Sequence, residues 1–187
     1  GLRHAFDADH IAAVSVLASQ ISNRRKALLQ GIFWGLGHTT TLLAIGIFVF
    51  FFGLRISPEF SGFFEFLVAI LLIGLGIFSC IQTLRSRTHS HPPFGHHKHP
   101  HSSFFVGIIH GLAGSAGVFV LIISTVKSPL LGLLSILIFG LGTMIGMAFV
   151  SFFISLSALR IKKYVGFVTG VFSFGLGIFL LFSAKFF

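Results

Sequence analysis

Leu130-Leu-Gly-Leu-Leu-Ser-Ile-Leu-Ile-Phe-Gly-Leu-Gly-Thr-Met-Ile-Gly-Met-Ala-Phe-Val-Ser-Phe-Phe-Ile-Ser-Leu-Ser-Ala-Leu159 holds no charged residue and no proline. As a helix it would reach about 45 Å, more than the roughly 30 Å of a hydrocarbon core, which it would cross with some tilt. Four further apolar segments resemble it: Leu28–Phe52, Phe63–Leu84, Phe104–Val126 and Tyr164–Ala184. The opening stretch is shorter. Its uninterrupted apolar part, Ile11–Ile21, covers only about 16 Å, so the chain is expected to begin inside its first span, with upstream residues missing. The expected fold is an all-α integral membrane protein of about six transmembrane helices.

Composition agrees. The chain has 187 residues, of which 55% are hydrophobic and 9% charged, with 26 Phe and a mean hydropathy of +1.00. A soluble domain carries about 25% charged residues, too many for this chain to match. The formal charge of +9 would suit nucleic acid in another context. Here the basic residues sit in short clusters between apolar runs, the mark of cytoplasmic loops, and no nucleic-acid partner is expected. Arg24, Arg25 and Lys26 form the first cluster, Arg85, Arg87 and Lys98 the second, Arg160, Lys162 and Lys163 the third. The loops between carry only Arg55 with Glu59, then Lys127. Loops one, three and five are therefore expected to be cytoplasmic, with Gly1 and Phe187 on the outer side. Cys80 lies alone in an apolar run, so there is no intrachain disulfide and no CxxC metal site.

The chain repeats itself. Gly1-Leu-Arg-His4 echoes Gly107-Ile-Ile-His110, Phe33-Trp-Gly-Leu-Gly-His38 echoes Ile138-Phe-Gly-Leu-Gly-Thr143, and Gly74-Leu-Gly-Ile-Phe78 recurs as Gly175-Leu-Gly-Ile-Phe179, at offsets of 106, 105 and 101 residues. Matches in one order predict two three-helix units, 1–84 and 104–187, flanking a loop at 85–103. A unit of three spans reverses direction when repeated, so the repeat is expected to be inverted, as in secondary transporters with a site at the repeat interface. Small residues four apart, such as Gly31/Gly35, Gly107/Gly111, Gly142/Gly146 and Gly166/Gly170, suit close helix packing in lipid.

Chemistry concentrates in Arg3-His-Ala-Phe-Asp-Ala-Asp-His10. Asp7 and Asp9 are half of the protein's 4 acids, placed beside His4 and His10 in the first span. Ionisable groups at that depth are costly and default to function. Carboxylate and imidazole together suit a divalent first-row metal. On an ideal helix His4, Asp7 and His10 share about 120° of arc, while Asp9 lies roughly 140° from His4. Either His4/Asp7/His10 form the site, or the helix is distorted there, or Asp9 binds from a neighbouring position. An Arg3–Asp7 pair that merely holds helices together is the structural alternative. Counted from the inner face, His10 and His38 lie at about 18–20 Å, His4 at about 28 Å and His110 at about 10 Å. His38 is thus expected to complete the site and His110 to line the inner half of the path, with Thr39, Thr40, Thr41 and Ser115 as weaker polar lining. The third loop adds His89, His91, His96, His97, His99 and His101, a tract suited to loose metal capture.

Arg3-His-Ala-Phe-Asp-Ala-Asp-His-Ile11 resembles the signature of the nickel/cobalt transporter family, whose His-x4-Asp-His core maps onto His4, Asp9 and His10. Gly35-Leu-Gly-His38 and His110-Gly-Leu-Ala-Gly-Ser115 are similar to segments of its shorter relatives, the urease-accessory membrane proteins and a nickel/cobalt efflux branch. The resemblance implies a permease for Ni2+ or Co2+ in the bacterial cytoplasmic membrane, with metallochaperones or urease and hydrogenase maturation factors as partners. The metal would be cargo; no cofactor is expected. The long uptake permeases have about eight spans and this chain six, while its histidine-rich loop resembles that of the efflux branch, so uptake and efflux both stay open. Two other classes compete. His4-x4-Asp9 also fits the spacing of lipid acyltransferases, but no second substrate motif accompanies it. A small-anion exporter would place Arg or Lys within spans, and only Arg3 lies near the site.

Overall fold

The computed structural model describes residues 1–53, 57–85, 100–113, 122, 125, 126 and 128–183, and among them every regular element is helical. A single 3-10 turn, His4–Phe6, precedes α1 (Ala8–Ser19). Then come α2 (Arg24–Phe52), α3 (Pro58–Arg85), α4 (Pro100–Ala113) and α5 (Pro129–Ser183). Four helical stretches among the described residues are long and apolar enough to cross a membrane: α2, Glu59–Leu84 within α3, and the two arms of α5, Pro129–Ser157 and Tyr164–Ser183.

Local sequence sets the ends. Asn23 caps α2 by accepting the Lys26 amide at 3.1 Å, so the basic cluster sits on the exposed first turn. Gly53 closes the same helix in the left-handed region, φ 66°, where a side chain would be strained. The basic stretch expected as a loop after the fifth span falls at the junction of the two arms of α5, where Ile161 (φ −137°, ψ 44°) breaks the helix between Pro129–Ser157 and Tyr164–Ser183. Of the expected fourth span, Phe104–Val126, α4 supplies the first part, and most of 114–126 lies outside the described residues.

Helix α1 is the centre of the bundle. His10, Ala12, Ala13, Val14, Ser15, Val16, Ala18 and Ser19 are all buried, which is most of its circumference. Small residues let α2, α3 and α5 close around it; Ala12 and Ala13 meet Val68 and Leu72 of α3, and Val14 meets Trp34 and Met147. Sheathed in protein, it need not span lipid, and 12 residues suffice. The outer helices turn Phe48, Phe51, Phe52, Leu130, Phe179 and Phe182 outward, apolar faces that match hydrocarbon.

Interhelical contacts come in matched pairs. A Cβ at Gly107 would collide with the Trp34 carbonyl and lie 3.1 Å from the His38 nitrogen; one at Gly1 would collide with the Phe139 carbonyl and lie 3.0 Å from the Thr143 nitrogen. These are the same contact shifted by the repeat offsets of 106 and 105 residues. Likewise a Cβ added at Gly76 would lie 2.6 and 2.7 Å from the Phe174 nitrogen and Gly170 oxygen, and one at Gly177 would lie 2.9 and 2.8 Å from the Ile73 nitrogen and Ala69 oxygen. Each partner in one contact is the counterpart, 101 residues away, of a partner in the other.

Candidate metal centre

Residues 4–19 do not form one ideal helix. The 3-10 turn ends at Asp7, whose backbone is extended (φ −62°, ψ 145°), and α1 begins at the next residue. The break is well satisfied: the Asp7 amide donates to the His4 carbonyl and the Ile11 amide to the Asp7 carbonyl, each at 3.0 Å. On a continuous helix His4 and His10 would be about 9 Å apart along the axis. Here their ring centroids are 4.4 Å apart. Of the three arrangements open in the sequence, the distorted helix is the one observed.

His38 of α2 joins them, its ring 5.3 Å from His4 and 5.2 Å from His10. His110 of α4 lies 4.8 Å from His10. That corrects the depth count, which set His110 well below the others. Helix α4 starts at Pro100 rather than 104, so His110 is about 15 Å from its start, and the break folds His4 back to the level of His10. His10, His38 and His110 are almost fully buried.

The two carboxylates stand behind the imidazoles. His4 Nδ1 donates to Asp7 Oδ2 at 2.7 Å; His10 Nδ1 and His110 Nε2 donate to Asp9 Oδ1 and Oδ2, each at 3.1 Å. An ionised carboxylate only accepts, so the bonded nitrogens carry the protons and the remaining nitrogens keep lone pairs. Among the described residues those remaining nitrogens, His4 Nε2, His10 Nε2 and His110 Nδ1, with both nitrogens of His38, are buried without a hydrogen-bond partner. Each such orphan costs about 1–3 kcal/mol, a cost a bound cation would remove. Carboxylate–histidine pairs of this kind orient ligands and raise their basicity. Asp7, its side chain 53% exposed, touches only the rim, whereas Asp9 at 27% lies between two rings.

Two groups have ligand atoms all within 4.8 Å of one another: His4, His10 and His38, and Asp9, His10 and His110. Metal–nitrogen bonds of about 2.0–2.1 Å place ligands up to roughly 4.2 Å apart, so each group closes on one ion with shifts of about half an ångström.

Several expected residues fall elsewhere. Thr39 and Thr40 donate to the Gly35 and Leu36 carbonyls of their own helix at 2.7 and 2.8 Å, and the Thr41 hydroxyl lies 3.2 Å from both the Gly37 carbonyl and the Ile108 carbonyl of α4, so it ties α2 to α4. Arg3 is exposed, away from any anion pocket at the cluster. The His4/Asp9 dyad of an acyltransferase is not formed, because His4 bonds Asp7 instead. His101 opens α4 and belongs to neither ligand group. Ser115, His89, His91, His96, His97 and His99 lie outside the described residues.

The sequence reading missed Trp34, one turn before His38. The chain's 1 Trp stacks on His38 at 5.5 Å and touches His10 and His110 at 5.0 and 5.3 Å. Its position four residues from an intramembrane His was the available signal. One turn further, Gln30 accepts from Ser151 Oγ at 3.0 Å.

Four helical stretches of spanning length and apolar composition around a buried histidine cluster define an integral membrane protein. Residues 1–102 match the NicO family, described as high-affinity nickel-transport protein. The chain is 39% identical to the urease accessory protein UreH of Bacillus sp. (strain TB-90), over 98% of this chain and 87% of that one. A 48-residue stretch, 25% of this chain, is 44% identical to the nickel transporter NicT of Mycobacterium tuberculosis, covering 13% of that protein. No solved structure matches. The chain belongs to the NicO family of nickel transporters, a family of carriers rather than enzymes.

Proposed function

We propose that this chain is a secondary transporter that carries Ni2+, with Co2+ as an alternative cargo of the same ligand chemistry. The carrying observation is the convergence of His4, His10 and His38, whose buried lone-pair nitrogens lack partners among the described residues. Asp7 and Asp9 hold two negative charges beside them, which match a dication and make its burial affordable. Asp7 orients His4 at the rim, and Asp9 orients His10 and His110, balances charge and offers a carboxylate oxygen as a ligand. Binding needs deprotonated ligands and so releases protons, which supports proton-coupled exchange.

The frame would be six spans in two inverted three-helix repeats, 1–84 and 104–187, joined by the histidine-rich segment 85–103. The matched glycine contacts support this, since a two-fold relation turns each contact between halves into a second one. Rocking of the halves would alternate access to the site. The basic clusters support a bacterial cytoplasmic membrane with those loops inside. Likeness to a urease accessory protein supports delivery of nickel toward urease or hydrogenase maturation, with metallochaperones as partners. The test is Ni2+ and Co2+ flux into proteoliposomes under an imposed pH gradient, with His4→Ala, Asp9→Asn and His10→Ala measured separately. Flux should fall in each; undiminished Ni2+ flux in all three overturns the site.

A further inference from the structure

The two ligand groups share a residue. His10 belongs both to the His4/His10/His38 group and to the Asp9/His10/His110 group. Its Nδ1 is engaged with Asp9 at 3.1 Å, and its Nε2 has no partner among the described residues. The rings of His4 and His110 stand 4.4 and 4.8 Å from it.

We propose that the two groups are successive stations for a single divalent cation, which passes from one to the other across the His10 ring, and that both are never filled together. The proposal rests on the nickel-carrier reading above and adds an order of events to it. A neutral imidazole has one lone pair. With its proton on Nδ1, directed at Asp9, His10 serves the first station through Nε2. To serve the second, the ion takes the Nδ1 side, between His10 and Asp9. Filling both would hold two dications on the two nitrogens of one ring, about 6 Å apart in a low-dielectric bundle, a repulsion that the two nearby carboxylates do not offset. The ring stays neutral in the exchange: the ion leaves Nε2 for Nδ1, the Nδ1 proton goes to water, and a proton from water takes Nε2.

The stations differ in donors. The first offers three imidazoles; the second offers two imidazoles and the Asp9 carboxylate, which supplies charge as well as a ligand atom. The ion must displace two Asp9–imidazole bonds at 3.1 Å. Those are longer than the roughly 2.7–2.9 Å of strong charge-assisted bonds, and so are readily exchanged. The first station is built on the 3-10 turn, α1 and α2, and the second on α1 and α4. Transfer therefore moves the ion from one wall of the bundle to another while His10 keeps hold of it.

The test uses the full chain. Co2+ and Ni2+ binding is titrated in detergent by calorimetry and by quenching of Trp34, which touches His10, His38 and His110. Radiolabelled Ni2+ flux is measured in proteoliposomes. The unaltered chain should bind one ion. His38→Gln should weaken binding by about 10–100-fold. His110→Gln, which keeps a donor toward Asp9, should bind one ion within about threefold of the original affinity yet lose at least about tenfold in flux. Retained binding itself demonstrates the fold of that variant, and His110→Asn replaces it where Gln is not tolerated. Two ions per chain at saturation, equal loss of binding in His38→Gln and His110→Gln, or normal flux in His110→Gln would each overturn the hand-off while leaving a nickel carrier in place. An unaltered chain that neither binds nor moves the metal would overturn the carrier reading instead.

Discussion

Alanine at position 107 separates packing from transport. Gly107 of α4 lies against the backbone of α2, and an added Cβ would sit 2.9 Å from the Trp34 carbonyl carbon and 3.1 Å from the His38 nitrogen, where ordinary contact begins at 3.4 Å. The Trp34 carbonyl oxygen is nearer still. Both neighbours are backbone and cannot rotate aside, so α4 must back away from α2 by about 1 Å, an overpacking cost of about 1–3 kcal/mol. Helix propensity returns about 1 kcal/mol on replacing Gly by Ala. The net loss of about 0–2 kcal/mol should lower Tm by no more than about 8 °C. The site has less tolerance. His110 rides on α4 one turn away, and its 3.1 Å bond to Asp9 would open to about 4 Å, beyond hydrogen-bond range. A displacement of about 1 Å in a positioned group can cost about 100-fold in rate. Ni2+ flux in proteoliposomes should fall by about that factor, with a folded, monodisperse protein by size exclusion. Gly74→Ala is the control, because nothing lies within 4 Å of a Cβ there; its flux should be unchanged. Normal flux in folded Gly107→Ala would refute the coupling of α4 position to the site.

Asp9→Asn should reduce Ni2+ affinity by about 10–100-fold, because the amide accepts from only one of the two rings and carries no charge. Asp7→Asn should cost less than about tenfold, since water reaches its 53% exposed side chain, and a ranking in the opposite order by calorimetry would reject these roles. Deleting residues 86–99, with their five histidines, should change the apparent affinity without abolishing flux. Complete loss of flux in a folded deletion variant would make the segment essential.

Much of the architecture is legible in hydropathy, because lipid demands apolar length wherever a helix faces it. Leu28–Phe52, Phe63–Leu84 and the two late segments all reappear as helices of spanning length. The basic stretch at 160–163 marks the boundary between those two late segments, and the backbone breaks there at Ile161. The site was legible by type: few charges exist, and two of 4 acids lie beside histidines in an apolar context.

What sequence alone determined, then, is the solvent the protein lives in and the residues that are candidates for the site. Lipid is read off residue by residue, and a carboxylate or imidazole at depth stands out against it. What only the tertiary structure decided is which ligands meet. A single extended residue, Asp7, folds His4 back onto His10 and frees Asp9 to reach His110, 101 positions away. Helical periodicity assumes a uniform backbone, and so it cannot anticipate its own interruption. Nor can spacing within one segment show that Trp34 and His110 close the same cluster, since that depends on how closely α2, α4 and α1 approach. Glycine at 107 permits that approach, and the clash a methyl group would meet there shows how little distance separates an assembled cluster from four isolated histidines.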